Sequence, residues 1–250
     1  MKISIITATF NSENYIHSNL DSINRQSHKN YEHIIIDNKS SDNTLDIIKK
    51  NGKNLIIKSQ NDLGIYDAFN KGIEIASGDI ISILNSDDFY YSSETLKDVI
   101  EIFMKQKVDI VYGNLDYVKR NKMGKIVRYW KSNAFTSNSF KIGWSPPHPT
   151  FFVKKNIYTK FGNFDIKNGN SSDFELMFRF LEKNKISSFH LNKTLVTMRT
   201  GGKSNKNINE IIKQNLKILQ ILDIKFNLFH IIKFLIYKLI NRVKQFLILK

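Results

Sequence analysis

The amino-acid sequence predicts an α/β fold in which a mixed, mainly parallel sheet is flanked by helices and followed by an amphipathic helical tail. Three observations lead to this prediction. In the first half of the 250-residue chain, short β-branched runs alternate with stretches whose apolar residues recur at helical spacing, which is the pattern of βαβ units. The middle of the chain has the pattern of an antiparallel hairpin. From residue 206 onwards, lysines recur among apolar residues at helical spacing.

The first half of the chain is predicted to alternate strictly between strands and helices. Asn11 or Ser12 can cap the first helix and Asp42 the second, while Gly52 and Gly64 mark breaks between elements. The predicted strands span residues 3–7, 33–36, 55–58 and 80–84, and the predicted helices span residues 15–23, 44–50, 65–76 and 94–107.

After Asp109 the pattern changes to antiparallel strands and loops. All three prolines lie within residues 145–149, which we expect to form an extended loop, because proline restricts the backbone. Strand character is predicted for residues 110–112, 115–119, 125–130, 187–191 and 195–198, a turn for residues 121–124, and helices for residues 156–161 and 173–184.

Composition excludes several kinds of chemistry. There is no cysteine, so disulfides, zinc–thiolate sites and cysteine nucleophiles are excluded, and any metal must bind oxygen or imidazole ligands. The first apolar run ends at Asn11 and is too short for a signal peptide. No stretch reaches the roughly 18 apolar residues of a membrane-spanning helix. We therefore expect a cytoplasmic protein that does not cross a bilayer.

The tail, residues 206–250, is expected to be a basic appendage to a domain formed by residues 1–205. Of the net charge of +15, residues 201–250 contribute +8, and no acidic residue follows Asp223. Such a charge implies an anionic partner: nucleic acid, a membrane surface or a phosphorylated substrate. Lysines spaced along a broad apolar face favour a helix lying on an anionic membrane surface. The alternative is a helix packed on the core or on a partner subunit.

Two adjacent carboxylates, Asp87 and Asp88, follow the fourth predicted strand. Open α/β sheets bind ligands at the carboxyl ends of their strands. A carboxylate pair there can hold a divalent cation that bridges phosphate oxygens. Aspartate is also a favoured turn residue, so an Asp-rich turn without a ligand is the alternative.

Seven short motifs follow one another along the chain. They are residues 5–11, 34–42, 62–72, 85–88, 147–152, 171–176 and 201–204. Together they resemble the inverting family 2 glycosyltransferases, and the resemblance covers approximately residues 1–204. It implies the GT-A fold. It also implies sugar transfer from a UDP-sugar to an acceptor, here expected to be a lipid-linked saccharide in surface-polysaccharide or lipopolysaccharide synthesis at the inner face of the cytoplasmic membrane.

The resemblance also implies a nucleotide site at the ends of the first two strands. Thr9 and Asp37 would lie side by side there, with Asp37 accepting from the uracil imide nitrogen. A local turn or cap is the alternative for Asp37. Asp67 and Lys71 would border the donor, or simply belong to a solvated helix face. The remaining donor candidates are Arg199 and Lys203, on a basic loop that would close over the pyrophosphate.

The same resemblance assigns the chemistry. Asp87 would contact ribose, and Asp88 would hold Mn²⁺ or Mg²⁺ together with the donor phosphates, because Asn85 replaces an aspartate of some relatives. Asp173 matches the catalytic base, which takes the proton of the acceptor hydroxyl as that oxygen displaces the diphosphate with inversion. Its alternative is a helix-dipole carboxylate. His148 would contact acceptor or diphosphate, unless its role is structural.

Other classes of protein are less well supported. Residues 202–204 imitate the end of a P-loop, but Thr197 occupies the position of its first glycine. A nucleic-acid-binding protein is compatible with a pI of about 9.7. We expect no nucleic-acid partner, however, because the basic residues of the tail are interleaved with long aliphatic side chains. The joint presence of Asp37, Asp87, Asp88 and Asp173 argues against a domain that binds without catalysing. An oligomer formed through the C-terminal helices remains open.

Overall fold

The computed structural model describes residues 1–120, 122–201, 208–224 and 228–247. Its strands form one nine-stranded sheet in the order β3-β2-β1-β4-β8-β6-β9-β5, with β7 paired to β6 outside that path. The strands are β1 (Ile3–Thr9), β2 (Tyr31–Asp37), β3 (Leu55–Ser59), β4 (Ile80–Ile83), β5 (Phe89–Tyr90), β6 (Ile110–Lys119), β7 (Lys122–Trp130), β8 (Phe152–Lys154) and β9 (Ser188–Arg199).

The first four strands are parallel and form the half of the sheet at whose carboxyl edge a nucleotide site is predicted. β1 lies between β2 and β4, and β2 pairs with β3. The strands of this half are rich in isoleucine because helices cover both faces of a parallel sheet; Ile5 and Ile35, for example, have no exposed surface. The register of β1 and β2 places Thr9 directly opposite Asp37. The predicted mixed, mainly parallel sheet is confirmed.

The second half of the sheet contains two strands that the sequence did not predict. β8 lies between β4 and β6 and is antiparallel to both, and β5 pairs with β9. With three and two residues, these strands are too short to show a strand period. The prediction of two strands at residues 187–191 and 195–198 was wrong: β9 is one strand, and its pairing with β6 continues past irregularities in register.

The helices are α1 (Ile16–Asn24), α2 (Thr44–Asn51), α3 (Ile65–Ile75), α4 (Thr95–Gln106), α5 (Lys155–Phe161), α6 (Ser172–Phe178), α7 (Ile208–Ile221) and α8 (Leu228–Leu247). The predicted helices are present with ends that differ by one or two residues, except that α6 stops at Phe178 and continues as a π-helical turn, Arg179–Lys183. At α2, the Asp42 carboxylate accepts from the backbone N–H of Thr44 at 3.0 Å.

The two C-terminal helices pack on the rest of the protein. Ile218 and Leu219 of α7 and Phe234 of α8 are buried in the largest hydrophobic cluster. α8 comes so close to Gly143 that a Cβ atom there would lie 2.8 Å from the Lys238 Cα. This is the packing that the sequence left open as an alternative to a membrane helix. The boundary between residues 1–205 and 206–250 stays a prediction.

Part of α8 nevertheless remains uncovered. Among the described helices, none is both long and apolar enough to cross a bilayer. The outward face of α8 carries a row of exposed apolar side chains. Its most exposed members are Ile232, Ile236, Leu239, Val243, Phe246 and Leu247.

Candidate active site

At the carboxyl ends of β1 and β2, Thr9 and Asp37 lie side by side, as predicted. The Thr9 hydroxyl donates to the Asp37 carboxylate at 3.0 Å. The same carboxylate accepts from the Ser40 backbone N–H at 3.0 Å, the Ser40 hydroxyl at 2.5 Å and the Ser59 hydroxyl at 2.8 Å. A carboxylate has about four acceptor positions. Asp37 therefore makes the local turn contacts that were the alternative to nucleotide binding. To bond Asp37, a uracil imide N–H would have to replace one of these four donors.

The two adjacent carboxylates differ sharply in environment. Asp88 has no exposed surface, and its carboxylate accepts from the Asn85 side chain at 2.8 Å and from the Arg199 backbone N–H at 3.4 Å. Burial, followed by the charge of Asp87, raises the pKa of Asp88 well above its usual value. The Asp87 side chain is 24% exposed and lies 3.3 Å from the Arg120 guanidinium. The carboxylate that a ligand can reach is therefore Asp87.

Arg199 holds the Asp87–Asp88 turn against the sheet. It ends β9, is 5% exposed, and donates to the carbonyl oxygen of Asp87 and to the Ser18 hydroxyl. Its guanidinium lies 5.1 Å from the centre of the Phe89 ring. Burial lowers the pKa of Arg199, and the two neighbouring carboxylates oppose that effect. Arg199, predicted to lie on a loop that closes over the pyrophosphate, is thus a strand-end residue bonded to the Asp87–Asp88 turn.

Arg120 is a site residue that sequence reasoning missed. It follows β6, donates to the Asp87 carboxylate and to the Gly201 carbonyl at 3.2 Å, and lies 4.2 Å over the Tyr15 ring. Its position beside the predicted hairpin turn provided no local signal of this role. Lys203, the other cation predicted for this edge, lies outside the described residues.

Asp67 and Lys71 bind each other at the start of α3. Their ion pair measures 2.8 Å, and the Lys71 ammonium also donates to the Asn61 carbonyl at 2.8 Å. Burial acts to raise the pKa of Asp67, but hydrogen bonds from Lys71 and from the Leu63 backbone lower it below its usual value. Neither side chain is among the described residues that line the neighbouring cavity, which contains Asp173 in its wall. The ion pair joins two residues one turn apart on α3, which fits the alternative of a solvated helix face.

A cavity of about 490 Å³ lies beside this edge, and Asp173 is one of its wall residues. Asp173 is in the first turn of α6, where its carboxylate accepts from the Phe174 backbone N–H at 2.7 Å. Tyr66 of α3 lines the same cavity. Burial, and then the nearby Asp173 charge, raise the pKa of Tyr66 well above its usual value. The predicted base thus faces a cavity, beside a phenol that stays protonated at neutral pH.

His148 also lines the cavity, in the proline loop. Its ring packs edge-on against Phe164, with 5.4 Å between ring centres, and lies 6.3 Å from the Phe69 ring. Burial lowers its pKa, although the charge of Asp173 acts in the opposite direction. His148 is therefore a neutral imidazole at pH 7, held by aromatic packing next to the candidate base.

Helices α7 and α8 form the remaining wall of the cavity. Asn215, Lys238 and Arg242 all line it. The Lys238 ammonium donates to the Asn215 side-chain oxygen at 2.6 Å. Burial, and then the charge of Arg242, lower the pKa of Lys238 to about 8, while Asp173 opposes that shift. Sequence reasoning assigned these two cations to a membrane surface and did not foresee their place in the cavity.

Asn85 connects the two parts of the site, because it lines the cavity and also donates to Asp88. A ligand that runs from the strand ends past Asp87 would enter the cavity at Asn85 and reach Asp173. A carboxylate in such a cavity can take a proton from a bound hydroxyl.

The sequence profile described as Glycosyl transferase family 2 matches residues 4–182. The chain belongs to this family. It is a glycosyltransferase, as predicted. The PGL/p-HBAD biosynthesis glycosyltransferase of Mycobacterium bovis BCG is 29% identical over 181 residues, which cover 70% of this chain and 68% of that protein. An uncharacterized glycosyltransferase of Methanocaldococcus jannaschii is 27% identical over 187 residues, which cover 71% of this chain and 63% of that protein.

Solved structures confirm the predicted GT-A fold of this glycosyltransferase. Residues 1–349 of Staphylococcus aureus TarS in complex with UDP-GlcNAc match with a TM-score of 0.68 and 23% identity, covering 98% of this chain and 73% of that one. The mannosyltransferase PcManGT of Pyrobaculum calidifontis, in complex with GDP-Man and Mn²⁺, matches with a TM-score of 0.63 and 15% identity, covering 88% and 63%.

The glycosyltransferase offers limited ligands to a divalent cation. Among the described residues, no three histidine, aspartate or glutamate side chains are grouped to hold a metal. Hard cations at phosphate sites, however, take only one or two carboxylates from the protein and the rest from substrate and water. Asp87 is one such carboxylate: its side chain is 24% exposed, and Asn85, two residues before it, lines the cavity. Asp87 is more exposed than Asp88, and the metal role predicted for Asp88 stays a prediction.

Proposed function

We propose that this glycosyltransferase moves a sugar from a UDP-sugar to a saccharide hydroxyl with inversion of the anomeric carbon. The observation that carries the proposal is the position of Asp173, whose carboxylate lines a cavity reached from the Asn85–Asp88 turn. The choice of uridine is supported by the Thr9–Asp37 pair at the strand ends and by the fold shared with TarS, whose solved complexes contain UDP-GlcNAc and UDP.

In this proposal the nucleotide lies along the ends of β1 and β2, and its diphosphate lies near Asp87 and Arg120. The sugar then projects past Asn85 into the cavity. Asp87, with the donor phosphates, would hold Mn²⁺ or Mg²⁺, and such a cation offsets charge on the leaving diphosphate. Arg199 keeps the Asp87–Asp88 turn in place during this step, because its guanidinium is bonded to the backbone of that turn.

Asp173 would act as general base. Its carboxylate takes the proton of the acceptor hydroxyl while that oxygen forms a bond to the anomeric carbon. The bond between that carbon and the diphosphate oxygen breaks on the opposite face, and UDP leaves with the bonding electrons. One in-line displacement converts an α-linked donor into a β-glycoside. Tyr66 and His148, both neutral at pH 7, border the same space and can hydrogen-bond the reacting groups.

The proposal is tested by measuring UDP release from UDP-glucose, UDP-galactose, UDP-N-acetylglucosamine and UDP-N-acetylgalactosamine, with prenyl-diphosphate-linked sugars as acceptors. We expect release from at least one donor, loss of that release in excess chelator and recovery with Mn²⁺ or Mg²⁺. Proton NMR of the product should show a β-linkage. Full activity in chelator would contradict the metal role, and an α-linked product would contradict inversion.

We further propose that the protein works at the inner face of the cytoplasmic membrane, in surface-polysaccharide or lipopolysaccharide assembly, on a lipid-linked acceptor. The support is the uncovered apolar row of α8, which is flanked by lysines and lies on the helix that walls the cavity. An exposed apolar helix face flanked by cations suits the headgroup region of an anionic bilayer.

Membrane binding is expected to depend on that row. The double substitution Ile236→Glu and Val243→Glu should abolish co-sedimentation with phosphatidylglycerol vesicles, because both side chains are exposed on α8. Met104→Glu is the matched control, since Met104 is an exposed apolar residue of α4. Unchanged binding by the double variant would contradict the membrane proposal. A change in oligomeric state instead would assign the row to a partner subunit.

A further inference from the structure

Two groups of cations border the proposed site, and they have different partners. Arg120 and Arg199 lie beside Asp87, where the donor diphosphate is placed. Lys238 and Arg242 lie on the wall formed by α8, and the carboxylate whose charge acts on Lys238 is Asp173. Lys238 and Arg242 therefore lie near the proposed base Asp173, and not near the place proposed for the donor diphosphate.

The second group is costly to keep in the folded protein. Lys238 is largely shielded from water, and Arg242 is close enough to repel it. Arg242 itself is exposed, so the cost falls on the Lys238 ammonium, which is shielded beside a second cation and is unfavourable there unless an anion neutralises it. The lowered pKa of Lys238, about 8, reflects this burial and repulsion. The Asn215 oxygen at 2.6 Å satisfies one donor of the ammonium without neutralising its charge. A bound anion would do so.

We propose that Lys238 and Arg242 bind a phosphoryl group of the acceptor, so that the acceptor is a sugar phosphate or sugar diphosphate. This inference rests on the proposed function, because it takes Asp173 as the residue that receives the acceptor proton. Asp173, Lys238 and Arg242 line one cavity, so a single acceptor can present its attacking hydroxyl to Asp173 and its phosphoryl group to the two cations. A guanidinium and an ammonium together suit a phosphoryl group, since both form charge-assisted hydrogen bonds to its oxygens.

The phosphoryl group can come from a lipid carrier or from a soluble sugar phosphate. Leu235 and Leu239 of α8 line the same cavity, and their side chains are 40% and 61% exposed. Leu239 also belongs to the uncovered apolar row of α8, so a chain attached to the phosphate would leave the cavity along these residues onto that row. The chemistry at Lys238 is the same in both cases, so the test below uses both kinds of acceptor.

The first test measures binding without turnover. Geranyl diphosphate is titrated calorimetrically into the full chain in the presence of saturating UDP, which fills the donor site. Lys238→Met and Arg242→Gln should each weaken binding on the order of 10–100-fold, as loss of a charge-assisted hydrogen bond does. Lys233→Met and Lys244→Met are matched controls, because both lysines are exposed on α8 and are not among the described residues lining the cavity.

A second variant separates charge from packing. Asn215→Leu removes the hydrogen bond to Lys238 but keeps the ammonium, so geranyl diphosphate should still bind. Lys238→Arg should restore most of the binding lost in Lys238→Met. If Lys238→Met and Arg242→Gln bind geranyl diphosphate as tightly as the parent, or if the control variants lose binding equally, the inference is wrong.

The second test measures transfer to three acceptors that carry the same sugar: prenyl diphosphate-linked, 1-phosphorylated and octyl-glycosidic. Lys238→Met should raise KM at least about tenfold for the two phosphorylated acceptors, and leave KM for the octyl glycoside and for the UDP-sugar unchanged. An equal rise for all acceptors, or a rise in the UDP-sugar KM, would overturn the inference. A parent enzyme that neither transfers nor hydrolyses any UDP-sugar would contradict the proposed function instead, and the geranyl diphosphate titration would still decide the role of Lys238.

Discussion

Replacing Asp173 by asparagine is expected to lower kcat roughly 10²–10⁴-fold, the usual contribution of a general base. The amide has the shape of the carboxylate and keeps an oxygen that can accept from the Phe174 backbone N–H. It cannot take a proton from the acceptor hydroxyl. UDP affinity should be unchanged, because the nucleotide is placed at Thr9 and Asp37. The measurements are kcat from UDP release and UDP affinity from calorimetry.

Glu175→Gln is the matched control for this prediction. Glu175 is in the same helix, two residues further on, but its carboxylate is bonded to the Arg179 guanidinium at 2.9 and 3.0 Å. It is not among the described residues that line the cavity. We expect Glu175→Gln to keep its kcat and to lose some thermal stability. An Asp173→Asn enzyme as active as the parent, or equal losses in both variants, would remove Asp173 from the mechanism.

The sequence predicted the parallel half of the fold well because the signals there are local. Isoleucine runs, helical spacing and glycine breaks lie within each element, and the carboxyl-edge rule places the ends of β1 and β2 side by side. The family resemblance singled out Thr9 and Asp37, and the rule placed both at the same edge of the sheet, where the structure pairs them. β5 and β8 were missed because their place in the sheet is decided by partners distant in sequence, not by a pattern within two or three residues.

The site was predicted less completely, for a physical reason. The sequence shows that Asp87 and Asp88 are neighbours after a strand, but it does not show which of the two side chains is buried. That depends on Asn85 and on Arg199, which lies more than a hundred residues further along the chain and reaches back to this turn. Arg120 follows β6 and Asp87 precedes β5, and the two residues meet because both strands pair with β9.

The helical tail shows the same limit. Its amphipathic pattern predicted both a helix and an apolar face, but one pattern cannot say which apolar residues are covered. Phe234 is buried in the core while Ile236, two residues away, is exposed. Lys238 faces the cavity because α8 packs against the backbone at Gly143, a contact invisible in the spacing of lysines.

The second large effect is expected at the carboxylate pair, where Asp87→Asn and Asp88→Asn should behave differently. Asp87 is the more exposed member, lies beside Arg120, and follows Asn85 of the cavity wall by two residues. Its replacement removes the negative charge that a divalent cation would contact. We expect the Mn²⁺-dependent gain in UDP affinity to fall by at least the roughly 10–100-fold that loss of an outer-shell partner costs, with a comparable loss of transfer.

Asp88→Asn should largely keep the Mn²⁺-dependent gain in UDP affinity. Asp88 is fully buried, and its raised pKa means that the charged form is already disfavoured, so a neutral side chain of the same shape costs little charge. The amide oxygen can still accept from Asn85 or from the Arg199 backbone, and a modest loss of thermal stability is the expected cost. Calorimetric titration of UDP at several Mn²⁺ concentrations, with a thermal melt of each variant, separates the two. The opposite result would be loss of metal dependence in a folded Asp88→Asn protein and its retention in Asp87→Asn. Asp88 would then be the metal ligand, and its buried carboxylate would have to turn outward when the donor binds.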